Sequence, residues 1–248
     1  MTLKSMVATV AMMVGIATAE VPPEGRRFVP NEQESRLYQL IRDAPEQQRV
    51  QIILDPRLCQ AARQHALDTQ ARRYFSHTNP EGQGANGRAS NQGYPLPANY
   101  PADQNYIESL AGSVVGTPDD TLLLWRTSPS HANHVFGKLD FYRSQVVIGV
   151  GYAPATRWHY STYVFLSAPP PVGEVWAFSR PPVYSLEVAN TVKIKDARPQ
   201  SIFEVWSSTQ LSGEPRLDSS VVIGSEGGVD LGPKEGPSEF YRLAYFSL

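Results

Sequence analysis

The amino-acid sequence predicts an α+β fold followed by a small all-β segment, on three observations. Three helix-start signals stand in the first half: Asn31 with Glu34 three residues on, Asp55 before Pro56, and Thr117 before Pro118. Each joins a side-chain acceptor for unbonded first-turn N–H groups to a residue suited to that turn. Two runs rich in β-branched and aromatic residues, 146–152 and 158–166, read as strands with a turn at 154–157. Past Pro169-Pro170-Pro171 and Gly173 helical periodicity stops, and short strand-like runs alternate with glycine-rich turns.

Taken in order, residues 1–19 read as a secretory signal peptide: Lys4, an apolar run from Met6 to Ile16, and Ala17-Thr18-Ala19 as the cleavage site, with the cut after Ala19. The apolar run is shorter than the ~20 residues of a membrane span. The mature chain is therefore expected to be secreted or periplasmic, without a transmembrane segment. Residues 20–30, polar and with three prolines, are expected to form a loose leader. The first helix follows Asn31, with Leu37, Leu40 and Ile41 on one face, and ends before Pro45. The second runs from Asp55-Pro56 through Leu58, Cys59, Ala62 and Ala66, small residues that invite close approach of another layer. Cys59 reads as a buried small hydrophobe and His65 as a hydrogen-bonded structural histidine.

The helix leads to Tyr74-Phe75-Ser76-His77 and a Gly/Asn-rich loop. A histidine at a helix-to-loop exit is well placed to face a cleft. In that loop Arg88 is suited to pin the chain through forked hydrogen bonds, a structural role. After a proline-rich stretch at 95–101, Glu108 stands between Ile107 and Leu110, either as an exposed turn residue or as a partner for buried cations. The third helix follows Thr117-Pro118 and stops before Ser128-Pro129, ahead of His131 and His134. The expected organisation is an α+β unit over 31–168, a linker at 169–173, and a small sandwich or barrel over 174–248. Its candidate strands are 175–178, 184–188, 192–194, 202–206, 221–223 and 240–246, with Trp176 and Trp206 as core anchors.

Composition narrows the partners. Without residues 1–19 the chain carries 21 Lys+Arg against 24 Asp+Glu, a formal charge of −3, and no basic stretch. That argues against nucleic acid and anionic membrane. A single cysteine excludes an intrachain disulfide, so stability must come from an ordinary core. The absence of an Asn-x-Ser/Thr sequon fits a bacterial exported protein.

For chemistry, no nucleophile elbow, HExxH helix, P-loop or dinucleotide glycine pattern occurs. What remains is His77, Glu108 and His131. Two imidazoles and a carboxylate can hold a divalent cation, zinc first, with positions left open for water. The same three can relay protons without metal.

The ordered motifs Ala62 with His65-Ala66, Phe75-Ser76-His77, Arg88 with Gly93-Tyr94, Glu108-Ser109-Leu110-Ala111, and Trp125 with Ser128-Pro129-Ser130-His131, then the Val-Ile-Gly-Val-Gly strand, resemble the bacterial branch of the CAP superfamily, the SCP-like domains. The resemblance covers about 31–168 and implies an α-β-α sandwich in which His77, Glu108 and His131 line a cleft. Two features depart from the family's pattern. Ser109 stands where asparagine is usual, and Ala132 and His134 where arginine and asparagine are usual. A fourth cleft glutamate has no counterpart among Trp125, Arg126 and Thr127. One fold carries many roles, so three readings stay open. The first is a secreted binding module for a metal, small ligand or cell-surface component. The others are a metal-dependent hydrolase such as a peptidase, and a lipid or sterol carrier.

Overall fold

The structure, a computed structural model, describes residues 26–113, 116–157 and 159–171, and from the C-terminal segment 185–188, 191–195, 202–208, 216–223, 229–233 and 240–245. In chain order the elements are β1 (Arg26–Phe28), α1 (Glu32–Arg42), β2 (Ile53–Leu54), α2 (Pro56–Arg72), α3 (Ala85–Asn91), β3 (Glu108–Ser113), α4 (Pro118–Thr127), α5 (Pro129–Val135), α6 (Asp140–Arg143), β4 (Val147–Ala153) and β5 (Ser161–Ala168). The C-terminal segment adds β6 (Ser185–Val188), β7 (Thr191–Lys195), β8 (Ile202–Ser208), β9 (Arg216–Val222), β10 (Val229–Pro233) and β11 (Phe240–Tyr245).

All three capping signals start helices. The Asn31 side chain accepts from Glu34 N at 3.0 Å while the Glu34 carboxylate accepts from Asn31 N at 2.9 Å, a reciprocal box. Asp55 accepts from Arg57 N at 2.7 Å and also holds the Arg57 guanidinium in a buried pair. Thr117 and Asp120 repeat the box at α4.

The central sheet has the order β2-β4-β5-β3, with β2 parallel to β4 and the other pairs antiparallel. Both faces are covered, so β5 is buried along its whole length. The small residues of α2 meet glycines of β4: a Cβ on Gly149 would stand 2.3 Å from the Leu58 carbonyl carbon, and one on Gly151 2.2 Å from that of Ala62. Helix and strand backbones thus touch, and only glycine leaves room. Leu58, Ala62, Ala85, Ala89, Leu110 and Val164 fill the layer on the α2–α3 side. Leu37, Ile41, Trp125, Ala132, Ala111 and Phe165 belong to the core on the α1, α4 and α5 side. The result is a three-layer α-β-α sandwich.

Several expectations are corrected. Residues 26–28 are not a loose leader: β1 pairs antiparallel with β9, Arg26 opposite Val222, and Phe28 is buried. The Gly/Asn-rich loop after His77 contains α3, which carries Arg88. Glu108 begins a strand, α5 includes the 129–134 stretch with Pro129 in its first turn, and the second predicted strand starts at Ser161. β9 begins earlier than the predicted 221–223 run, and β10 has no counterpart among the predicted runs.

In the C-terminal segment the described strands form two open sheets, β1-β9-β8-β11 and β10-β7-β6, and no closed barrel. Ile202 and Val222 join the cluster of Ile53 and Leu58, and the Ser220 hydroxyl donates to the Leu54 carbonyl. The Tyr38 hydroxyl donates to the buried Glu204 carboxylate. These strands therefore cover the β2 edge of the central sheet and leave β3 as its other edge. The expected signal peptide, the 175–178 strand and Trp176 lie outside the described residues.

Candidate functional site

Glu108 and Ser109 are adjacent on β3, so their side chains leave opposite faces of the sheet. Glu108 points to the α2–α3 side. Its Oε1 accepts from His77 Nδ1 at 2.8 Å, and its Oε2 accepts from Arg88 Nη2 at 2.6 Å. Arg88 also donates through Nη1 to the carbonyls of His77, at 2.9 Å, and Gln83, at 3.1 Å. One guanidinium therefore ties carboxylate, histidine backbone and loop together. His65 completes this side, its Nε2 at 3.0 Å from the Ser76 carbonyl and 3.7 Å from Glu108 Oε1. The Glu108 side chain has no exposure while that of His77 keeps 44%, so the acid is a buried anchor and the imidazole the part solvent meets.

The electrostatics follow from this packing. Burial alone would push the Glu108 carboxyl up. The His77 hydrogen bond and the charges of Arg88, His65 and His77 outweigh it and hold the pKa below the ordinary value. Burial pushes His65 down, against the pull of Glu108. Because His77 Nδ1 faces a carboxylate, that nitrogen carries a proton and donates it to the hydrogen bond. His77 Nε2 has no hydrogen-bond partner among the described residues.

On the opposite face stand Ser109 and α5. Ser109 Oγ lies 2.7 Å from His134 Nδ1, and His134 Nε2 lies 2.8 Å from Ser167 Oγ. Ser167 donates to Gln145 Oε1 at 2.7 Å and receives Arg49 Nη2 at 3.1 Å. Since the Ser167 proton goes to Gln145, His134 Nε2 is the donor and Nδ1 accepts from Ser109. The two departures from the family pattern, Ser109 and His134, thus satisfy each other. His134 is neither a ligand nor a surface residue. Burial, then the nearby positive charge of Arg49, drives its pKa well below the usual imidazole value. Arg49 donates to the carbonyls of Gln145, Val135 and His134, and burial lowers its pKa to about 9.

His131, one helical turn before His134, is half-buried with Nδ1 2.9 Å from Ser128 Oγ. Burial, then the charge of His77, lowers its pKa. α5, which carries His131, packs on the face of the sheet opposite the one that Glu108 and His77 occupy. The structure brings His77, Glu108 and Arg88 into direct contact; it does not bring His131 onto the same carboxylate. Among the described residues no group of three or more His, Cys, Asp or Glu side chains stands ready to hold a metal ion. Sequence reasoning misses Asn105. Its side chain bonds both the N–H and the C=O of Glu108, at 2.9 and 3.2 Å, and the Asn105-x-x-Glu108 spacing is its only sequence signal. A further cavity of about 350 Å³ opens between α2 and α3, with Asp68, Arg72, His65 and Arg88 in its wall.

The three-layer α-β-α sandwich defines the class. The chain belongs to the cysteine-rich secretory protein (CAP) family, whose model matches residues 41–167. The family's name does not describe its composition, for Cys59 is its one cysteine and is buried. Among solved structures it is similar to an outer surface protein from Borrelia burgdorferi, 19% identical, covering 58% of this chain and 98% of that one at a TM-score of 0.43. It is also similar to an extracellular protein containing a SCP domain from Bacillus anthracis, 17% identical at a TM-score of 0.43; the match covers 54% of this chain and 40% of that one. Comparison with curated proteins found no match. Among the described residues no helix is long and apolar enough to cross a membrane.

Proposed function

We propose that this is an exported, bacterial binding protein whose ligand enters the cleft at the β3 edge and is contacted by His77 and His131. The observation that carries the reading is the buried Glu108, held by Arg88 and holding the partly exposed His77 imidazole by Nδ1. A carboxylate behind an imidazole fixes its orientation, a device for presenting the outer nitrogen to a ligand. No specific observation favours the peptidase or the lipid-carrier reading. We further propose that the C-terminal strands serve attachment, at the far edge of the central sheet from the cleft.

A divalent cation fits the two imidazoles in one respect: His77 Nε2 and His131 Nε2 both lack a hydrogen-bond partner among the described residues. Glu108 is committed on both oxygens, so it would orient His77 rather than ligate. A bound zinc ion would supply a Lewis acid for a carbonyl or carboxylate of the ligand. Two protein ligands imply modest affinity, falling as pH drops through the histidine range near ~6.5. Calorimetric titration of zinc into the wild type and into His77→Ala/His131→Ala tests it. Heat in the first and none in the second is expected; equal heats would remove metal from the reading.

A further inference from the structure

We infer that the open edge of β3 takes an extended polypeptide segment as an added strand, so that the ligand of this cleft is a peptide. The inference rests on the cleft reading above and adds the chemistry of what enters it.

The direction of the β3 backbone groups follows from two independent hydrogen-bond observations. Ser167 N donates to Ile107 O at 2.8 Å, in the register that sets Glu108 opposite Leu166. In an antiparallel pair this makes Ser109 and Ala111 exchange N–H and C=O with β5, while Glu108, Leu110 and Gly112 turn theirs outward; the Ile107 N–H goes to Asn105 Oδ1. Glu108 agrees, for both its backbone groups are bonded instead by the Asn105 side chain. Asn105 thus imitates one residue of a neighbouring strand. Leu110 and Gly112 are the next two residues on the same outward row. Among the described residues, the backbone N–H and C=O of neither has a hydrogen-bond partner, and β3 pairs with β5 alone.

The two edges of this sheet are treated differently. At β2 the Ser220 hydroxyl takes the Leu54 carbonyl and β8 packs alongside. At β3 the unpaired edge, buried at Leu110 and partly exposed from Gly112 on, is instead flanked by Phe75, His77 and His131. Phe75, 48% exposed, lies over Gly112, where a Cβ would stand 2.8 Å from its ring. His77 stands on the same face and His131 on the other. Donors and acceptors repeating every second residue are what an extended backbone complements, with side chains alternating to the two faces. A lipid tail has no groups to match them. Residues of the added strand that face the α2 side would meet Phe75 and His77, and those facing α5 would meet His131.

Two measurements on the full chain test this. By NMR hydrogen exchange of the free protein, the Leu110 and Gly112 amides should exchange at least ~10-fold faster than those of Ser109 and Ala111, which bond β5. Equal protection would mean the edge is already closed, and would overturn the inference. Hexapeptides are then selected from a random library on the immobilised protein. The selected peptide should slow exchange at Leu110 and Gly112. N-methylation of one alternate set of its amides should weaken Kd by about 10-fold or more, and of the other set by less than about 3-fold. Peptides that bind yet leave Leu110 and Gly112 unchanged, or tolerate both methylations, would overturn strand addition while the cleft reading stands. A library that yields no binder would overturn the peptide as ligand, and the zinc titration would still judge the cleft separately.

Discussion

Glu108 sets the behaviour of the cleft because a fully buried carboxylate must be compensated on both oxygens. Removing its charge in Glu108→Gln leaves Arg88 with a weakened partner and is expected to cost about 3 kcal/mol, the lower end for breaking a buried pair. The folded pKa of Glu108 is depressed, so its contribution is present above the ordinary carboxylate range and is lost as pH falls through the folded value. His134 acts in a different window. Its folded pKa is also depressed, but it is a base, so the unfolded chain takes up a proton from about pH 6.5 downward while the folded chain does not, and stability falls from there. Urea midpoints against pH should thus show His134→Gln flattening the slope just below pH 6.5, and Glu108→Gln flattening it only in the acid limb. Coincident slopes for all three proteins would remove both assignments. At this scale the sequence could be read for residue type and order but not for pairing. His77, Glu108 and Arg88 stand out as polar groups beside apolar ones. That Ser109 reaches His134, or Asn105 the Glu108 backbone, depends on which face of one strand each occupies.

Elements were legible where they announce themselves locally. α1, α2 and α4 begin with caps that bind their own backbone, and those starts follow from the residues alone. α3 has no such signal: its sequence is ANGRASN and Gly84 offers no side-chain cap. It is held from outside, Asn86 Nδ2 donating to Pro101 O at 3.0 Å and Gly84 N to Ala102 O at 3.0 Å. Tertiary contacts override weak propensity there. β3 was hidden for another reason. Covered on both faces, it carries Glu, Ser and Gly among apolar residues with no alternation to detect. The packing of α2 on β4 leaves no room for a side chain at Gly151. Gly151→Ala forces a methyl group into the Ala62 backbone and should destabilise by about 3 kcal/mol, the upper end for overpacking. An unchanged denaturation midpoint would mean that helix and strand stand further apart than described.

Across the whole molecule, the N-terminal and C-terminal parts exchange cover. β1 precedes the α-β-α sandwich yet pairs with β9, and Tyr38 on α1 donates to Glu204 on β8. A short polar stretch such as 26–28 shows no strand pattern because its partner lies almost two hundred residues away in sequence. We propose that the boundary at 169–173 separates two folding units, each stabilised by the other. A chain ending at Ala168 should then fold, with a lowered Tm, since Ile53 and Leu58 lose the cover of Ile202 and Val222. The same Tm as the full chain would show mere tethering, and failure to fold would show one indivisible core.

We propose that His77 and His131, carried on opposite faces of the central sheet, share one cleft at β3. NMR titration of the His131 imidazole in the wild type and in His77→Gln tests it most directly, without any ligand. Burial and the charge of His77 both depress His131, so its pKa should lie below the ordinary value in the wild type and rise when His77 is replaced. Superimposable titration curves in the two proteins would exclude a shared cleft, because charged imidazoles lining one cleft shift each other's titration.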